Sequence, residues 1–152
     1  MVAPSVAPPQ NGFLSLRISR HTRHPREFID LTEEVQEAVD RSSFHSGFAV
    51  ITSEHTTASI VVNEHEPELL KDLGTFLDGI APESRDYAHN SVPCLPGERP
   101  NAHAHCQSLF LSASTTVPIV QGRLALGRYQ RIFLVELDHA RPRGVTVTLL
   151  GA

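Results

Sequence analysis

The chain has 152 residues, with 13 Lys or Arg against 17 Asp or Glu, a formal net charge of −4 with histidine neutral. That is one domain's length, enough to bury a core without disulfides or a structural metal. There is no basic excess of the kind a nucleic-acid binder carries, and no apolar run near the ~18 residues that cross a bilayer. Cys94 and Cys106 are too few for a disulfide framework and read as reduced thiols. Nine histidines, against seven Phe, two Tyr and no Trp, are the one compositional oddity.

The opening MVAPSVAPPQ lacks the basic and apolar regions of a secretory signal. Residues 1–11 read as a disordered tail, 12–152 as one domain, and the expected location is the cytoplasm. Gly12–Ser19 alternates, with Leu14, Leu16 and Ile18 on one side, as a half-buried strand does. Asp30-Leu31-Thr32-Glu33 has the spacing of a capping box ahead of Leu31, Val35, Ala38 and Val39, a helix that Gly47 should end. Phe48–Thr52 and Ala58–Val62 are β-branched-rich strands. Pro67 opens a second helix, where its missing N–H costs nothing, with a stripe of Leu69, Leu70, Leu73, Phe76, Leu77 and Ile80. Ala81–Pro100 is a long Pro-rich connection, of a length that usually serves function. The next stretch favours a short helix capped by Asn101, with Cys106, Leu109, Phe110 and Ala113 on one face, over the alternative of a strand, on which His103 and His105 would share a face. Val117–Val120, Leu124–Leu126, Tyr129–Leu137 and Val145–Leu150 are strands, with Gly122 and Gly127 at turns. Without βαβ alternation, this order predicts an α+β domain, a mainly antiparallel, sandwich-like sheet with two to three helices.

Polar residues gather in four places: Ser53–Ser59 with His55, Asn63–Glu66 with Asp72 beyond, His89 with Asn101–His105, and Gln130 to Arg143 on and after a final hairpin. Imidazole with carboxylate suits a divalent metal and also acid–base work. No closed zinc spacing is present. His103 and His105 diverge by about 200° on a helix, so at most one of them faces a given site. His21, His24, His45 and His65, with Glu54 and Glu66, read as surface residues, and Asn63-Glu64 could simply cap the second helix.

Taken together, His55-Thr56-Thr57-Ala58-Ser59 with Asn63-Glu64, Asp72, Tyr87-Ala88-His89, Asn101–His105, Gln121–Gly127, Gln130 and Glu136-Leu137-Asp138 with Arg141 and Arg143 resemble the YjbQ family, also called the secondary thiamine-phosphate synthase family. The blocks stand in the family's order over about Phe13 to Gly151. Arg128-Tyr129-Gln130 and Asp138-His139-Ala140-Arg141 depart from its common patterns. The resemblance implies a compact homotrimer whose pocket binds a phosphorylated small molecule, with weak thiamine-phosphate synthesis, in which a thiazole phosphate displaces pyrophosphate from a pyrimidine diphosphate. It implies His55, His105, Glu64 and Glu136 as catalytic residues, and Thr56, Thr57, Asn63, Gln130, Arg141 and Arg143 as substrate contacts. A divalent metal (zinc, nickel, manganese or magnesium) would sit on His55, His89, His105 and Asp72. Three readings stay open: this transferase, a metal-dependent hydrolase or lyase, and a non-enzymatic trimeric ligand-binding protein. Neither nucleic acid nor membrane is an expected partner.

Overall fold

A computed structural model describes residues 12–152; the expected tail over 1–11 lies outside the described residues. The strands are β1 (Phe13–His21), β2 (Glu27–Asp30), β3 (Ser46–Ser53), β4 (Ala58–Glu64), β5 (Ser114–Val120), β6 (Arg123–Leu124), β7 (Gln130–Glu136) and β8 (Pro142–Gly151). The helices are α1 (Thr32–Ser42), α2 (Pro67–Ile80) and α3 (Ala102–Phe110), with one 3₁₀ turn at Ala88–Ser91. The larger sheet runs β1-β8-β3-β5-β6 and the smaller β2-β7-β4, and every pairing is antiparallel. The expected α+β architecture is the one observed.

The central order of one sheet repeats in the other. β1 continues into β2, β3 into β4, and β7 into β8, so three neighbouring strands bend out of one sheet into the other. The inner faces close on one core of Leu14, Ile18, Ile51, Ile60, Ile132, Leu134, Val147 and Leu149 against Val35 and Val39 of α1. The small sheet is covered on its other face too, where Phe133 and Val135 meet Leu77 of α2 and Ala104 of α3. This explains why β7 is an unbroken apolar run and does not alternate.

Several local expectations change. The capping box does not form: Thr32 Oγ1 accepts from Ile132 N–H at 2.8 Å, tying α1 to β7, and the N-cap residue is Leu31, which has no side-chain acceptor. Asp30 Oδ1 accepts from the Thr32 N–H instead. α1 ends at Ser43, which is left-handed (φ 60°), and Gly47 lies within β3. Gly47 has φ 151°, and a Cβ there would overlap the Leu150 carbonyl, so only glycine fits this close approach of β3 to β8. α2 is capped by Glu66, which accepts from Glu68 and Leu69 N–H, so Glu66 is not a free surface residue and Asn63-Glu64 is not the cap. Its stripe is narrower than expected, since Phe76 stands out in solvent. α3 buries Ala102, His103, Ala104 and Gln107 and leaves Leu109 and Phe110 exposed. β2 is an additional strand too short to show a period. β7 and β8 are not a hairpin, because they belong to different sheets.

Candidate functional site

The three strand-to-strand corners lie side by side. Thr22 N–H donates to Arg141 C=O, Leu137 N–H to Thr57 C=O, and Glu54 N–H to Gly144 C=O, all at 3.1–3.2 Å. A strand that changes sheets leaves its ladder, so backbone groups and polar side chains collect at the bend. The Ser53–Ser59 and Glu136–Arg143 clusters meet on this seam.

Its floor is a pair of buried ion networks. Glu136 and Arg143 are 0% and 2% exposed. Arg143 Nε donates to Glu136 Oε2 at 2.7 Å and its Nη2 to Glu136 Oε1, while Thr22 Oγ1, Leu137 N–H and Asp138 N–H also donate to this carboxylate. A carboxylate offers about four lone-pair sites, so Glu136 has none left for a substrate proton. The expectation of Glu136 as an acid–base residue is corrected: it orients Arg143, whose Nη2 also reaches Thr57 Oγ1 at 3.1 Å. Asp138, also buried, meets Arg99 Nε (3.4 Å), Asn101 Nδ2 (3.1 Å), Arg141 Nη2 (3.3 Å) and His139 Nδ1 (3.0 Å). Burial alone would raise the Asp138 pKa, but bonds from His139 and Asn101 outweigh it and hold the carboxyl below its ordinary value.

Above this floor, a cleft of about 330 Å³ is lined by His55, Thr56, Thr57, Glu54, Glu98, Asn101, His105, Arg141 and Arg143. A neighbouring cavity of about 210 Å³ shares Glu98, Asn101 and His105 and adds His89 and Arg99. His55 is fixed by Gly144 N–H, which donates to its Nε2 at 2.8 Å, so in the neutral ring the proton is on Nδ1. Burial, and then the Arg143 charge, push its pKa below 6.5. Burial, and then His89, do the same to His105. The His89 and His105 rings meet edge-on with centroids 5.1 Å apart. Both site imidazoles are thus neutral at pH 7, one a set N–H donor and the other with no hydrogen bond among the described residues.

The sequence-derived set therefore divides. His55, Thr56, Thr57, His105, Arg141 and Arg143 line one cleft, and His89 joins through the adjoining one. Asn63, Glu64, Asp72 and Gln130 do not come to it. Glu64 pairs in register with Gln130 at the far end of β4, about 20 Å from the seam at ~3.3 Å per residue. Asn63 Oδ1 accepts from Glu64 N–H, Gln130 folds back to accept from Gly127 N–H, and Asp72 is exposed on α2. The ligand set of His55, His89, His105 and Asp72 does not assemble. Among the described residues, no group of three or more His, Cys, Asp or Glu side chains could hold a metal ion. His55 has its Nε2 occupied by Gly144, and Asp72, exposed on α2, lines neither cavity.

Sequence reading missed roles for Glu54, Glu98, Arg99, Asp138 and Gly144. Glu54 is not simply solvated but paired with Arg17 at 2.8 Å. The i, i+2 spacing of Glu136/Asp138 and of Arg141/Arg143 was the available signal, since period two aims alternate residues the same way. Glu98, inside the long connection, carried none.

Comparison with known proteins places this arrangement in context. A family model described as UPF0047 protein YjbQ-like matches residues 16–152. A UPF0047 protein from Methanothermobacter thermautotrophicus is 36% identical over 138 residues, covering 91% of this chain and 90% of that protein. YugU of Bacillus subtilis is 34% identical, over 82% and 90%. A crystal structure of a YbjQ-like protein of unknown function from Sulfolobus solfataricus superposes with TM-score 0.86 at 36% identity, covering 92% of this chain and 98% of that one. A hypothetical protein from Aeropyrum pernix gives 0.84 at 33%, over 91% and 98%. No helix among the described residues is long and apolar enough to cross a membrane.

Proposed function

Because the chain belongs to the YjbQ-like UPF0047 family, whose activity is not established, we propose that it acts on a small molecule bearing an oxyanion, bound at the seam. The observation that carries this reading is that two neutral imidazoles, His55 and His105, line one cleft with two guanidiniums, Arg141 and Arg143. Guanidinium suits phosphate or carboxylate through paired N–H donors. An imidazole with a free lone pair accepts a proton near neutral pH. In this assignment Arg141 and Arg143 anchor the anion, His55 Nδ1–H and the Thr56 hydroxyl orient it, and His105 moves the proton.

Thiamine-phosphate formation is the finer reading and the more demanding one. It asks the site to hold a departing pyrophosphate, whereas Glu136 and Asp138 already match much of its positive charge. No step is assigned to a metal, since the donors present do not form a coordination set. Because both arginines are already paired with carboxylates of the chain, little charge is left to stabilise a leaving group, which favours a second reading, ligand binding without turnover. In either case a homotrimer in the cytoplasm is the assembly we propose. Its support is an exposed apolar row of Phe13, Leu150 and Phe48 on three adjacent strands.

The test has two parts. Inorganic phosphate is titrated into ¹⁵N-labelled protein, and the protein is incubated with the pyrimidine diphosphate and thiazole phosphate, and separately with p-nitrophenyl phosphate, with and without chelator. Shifts confined to residues around His55, His105 and Arg141, with chelator-insensitive turnover of either substrate set, support the enzyme. Shifts without turnover support the binding protein, and no shifts overturn both. Light scattering at three chains' mass supports the trimer.

A further inference from the structure

The seam contains one carboxylate unlike the others. Glu136 and Asp138 are fully buried, and Glu54 is paired with Arg17 on the outside. Glu98 comes from the Pro-rich connection, where its N–H closes a turn on the Leu95 carbonyl. Its side chain is 41% exposed, and Arg141 is its hydrogen-bonding partner, with Nη2 donating to Oε2 at 3.1 Å and Nη1 to Oε1 at 3.5 Å. This is the two-pronged geometry with which a guanidinium takes up any oxyanion. Glu98 also lines both cavities and stands where they adjoin, beside His105.

Arg99, Arg141 and Arg143 face the buried Glu136 and Asp138, and Arg99 also has Glu83 at 3.8 Å. Arg141 is only 21% exposed, and without Glu98 its guanidinium keeps Asp138 and His139 alone as side-chain partners. A ligand that displaces Glu98 therefore has to bring an anionic group of its own to Arg141.

Resting on the oxyanion reading above, we propose that Glu98 is the specificity-determining residue of the site, an internal carboxylate occupying the position of the ligand's own anionic group on Arg141. The ligand class is then a small molecule with an oxyanion, a carboxylate or a phosphate monoester, whose anion displaces Glu98 from Arg141 in the cleft that His105 also lines. Displacement moves a side chain from the lining that the two cavities share and gives the remainder of the ligand the His89 side.

The experiment compares wild type, Glu98→Gln and Glu98→Ala by NMR titration with inorganic phosphate and, in a parallel arm, acetate, at constant ionic strength. Glu98 sits on an exposed loop, so these variants keep the fold. Removing the competing carboxylate is expected to lower the apparent Kd about two- to fivefold in both variants, the gain expected of a half-exposed ion pair. The arm that gains more tells phosphate ester from carboxylic acid. Equal or weaker binding by the variants, with wild type still binding at the cleft, overturns this inference and leaves the oxyanion reading standing. No binding by any of the three proteins overturns both.

Discussion

The two ends of the small sheet carry similar residue types and treat them differently. At the seam, Glu136 and Arg143 are buried and paired, backbone N–H groups of Leu137 and Asp138 hold Glu136, and the buried Asp138 carboxylate meets Arg99, Asn101, Arg141 and His139. At the far end, Asp30 accepts from His65 Nδ1 and Arg131 Nε, both at 2.8 Å, while Glu64, Asn63 and Gln130 lie in solvent. A His–carboxylate pair therefore does not mark a site by itself. The seam differs because strands leave one sheet for the other there, opening a cleft between fixed charges, whereas the far end is a closed ladder with a solvated edge.

The sharpest contrast is stability. Glu136→Ala leaves Arg143 buried and unpaired, and should cost about 3–5 kcal/mol in urea unfolding. If it costs under about 1 kcal/mol, the seam is wetter than its geometry indicates. Next is chemistry: His105→Ala should lower any turnover found for the protein by at least ~100-fold with little change in the urea midpoint, whereas His65→Ala should spare it. Equal losses from both would erase the distinction between the two ends.

Asp30→Asn comes third. Burial would raise the Asp30 pKa, but bonds from Thr32, Arg131 and His65 overcome that and hold it at about 2. A depressed carboxylate contributes stability that is present above its unfolded value near 3.8 and is lost as pH falls towards 2. The variant should therefore lose about 1–2 kcal/mol at pH 7 and show a weaker dependence in that acid window.

The seam also responds in a second, milder window. His55, His103 and His105 all have pKa values pushed below 6.5, with burial the leading cause. The unfolded chain then binds more protons, so stability falls as pH drops below about 6.5 and the loss levels off beneath the folded pKa values. His105→Asn should flatten the slope, read from urea midpoints between pH 7 and 5. An unchanged slope would remove His105 from the buried set. The smallest effect is expected for Glu64→Ala, within about 0.5 kcal/mol.

Most strands and the first two helices were legible as periodic segments, because side-chain periodicity is a local property, whereas the third helix was open between helix and strand and its expected cap, Asn101, makes no capping bond. Pro67 marked the start of α2 for the same reason. The faces were less legible. Leu109 and Phe110 read as core from composition, yet α3 turns Ala104 and Gln107 inward because the small sheet lies on that side. The capping box failed because Thr32 has a better partner 100 residues away, in β7.

By itself, the sequence determined the α+β class, the strand and helix segments, and a set of histidines and arginines able to bind and move protons. Tertiary structure alone decided which of them share a cleft. Asn63 and Glu64 lie within ten residues of His55 but at the other end of a straight strand, while Arg143, His105 and Glu98 arrive from distant segments through the bend between sheets. Closeness along an extended chain is separation in space at ~3.3 Å per residue, and only the pairing of strands brings remote residues together.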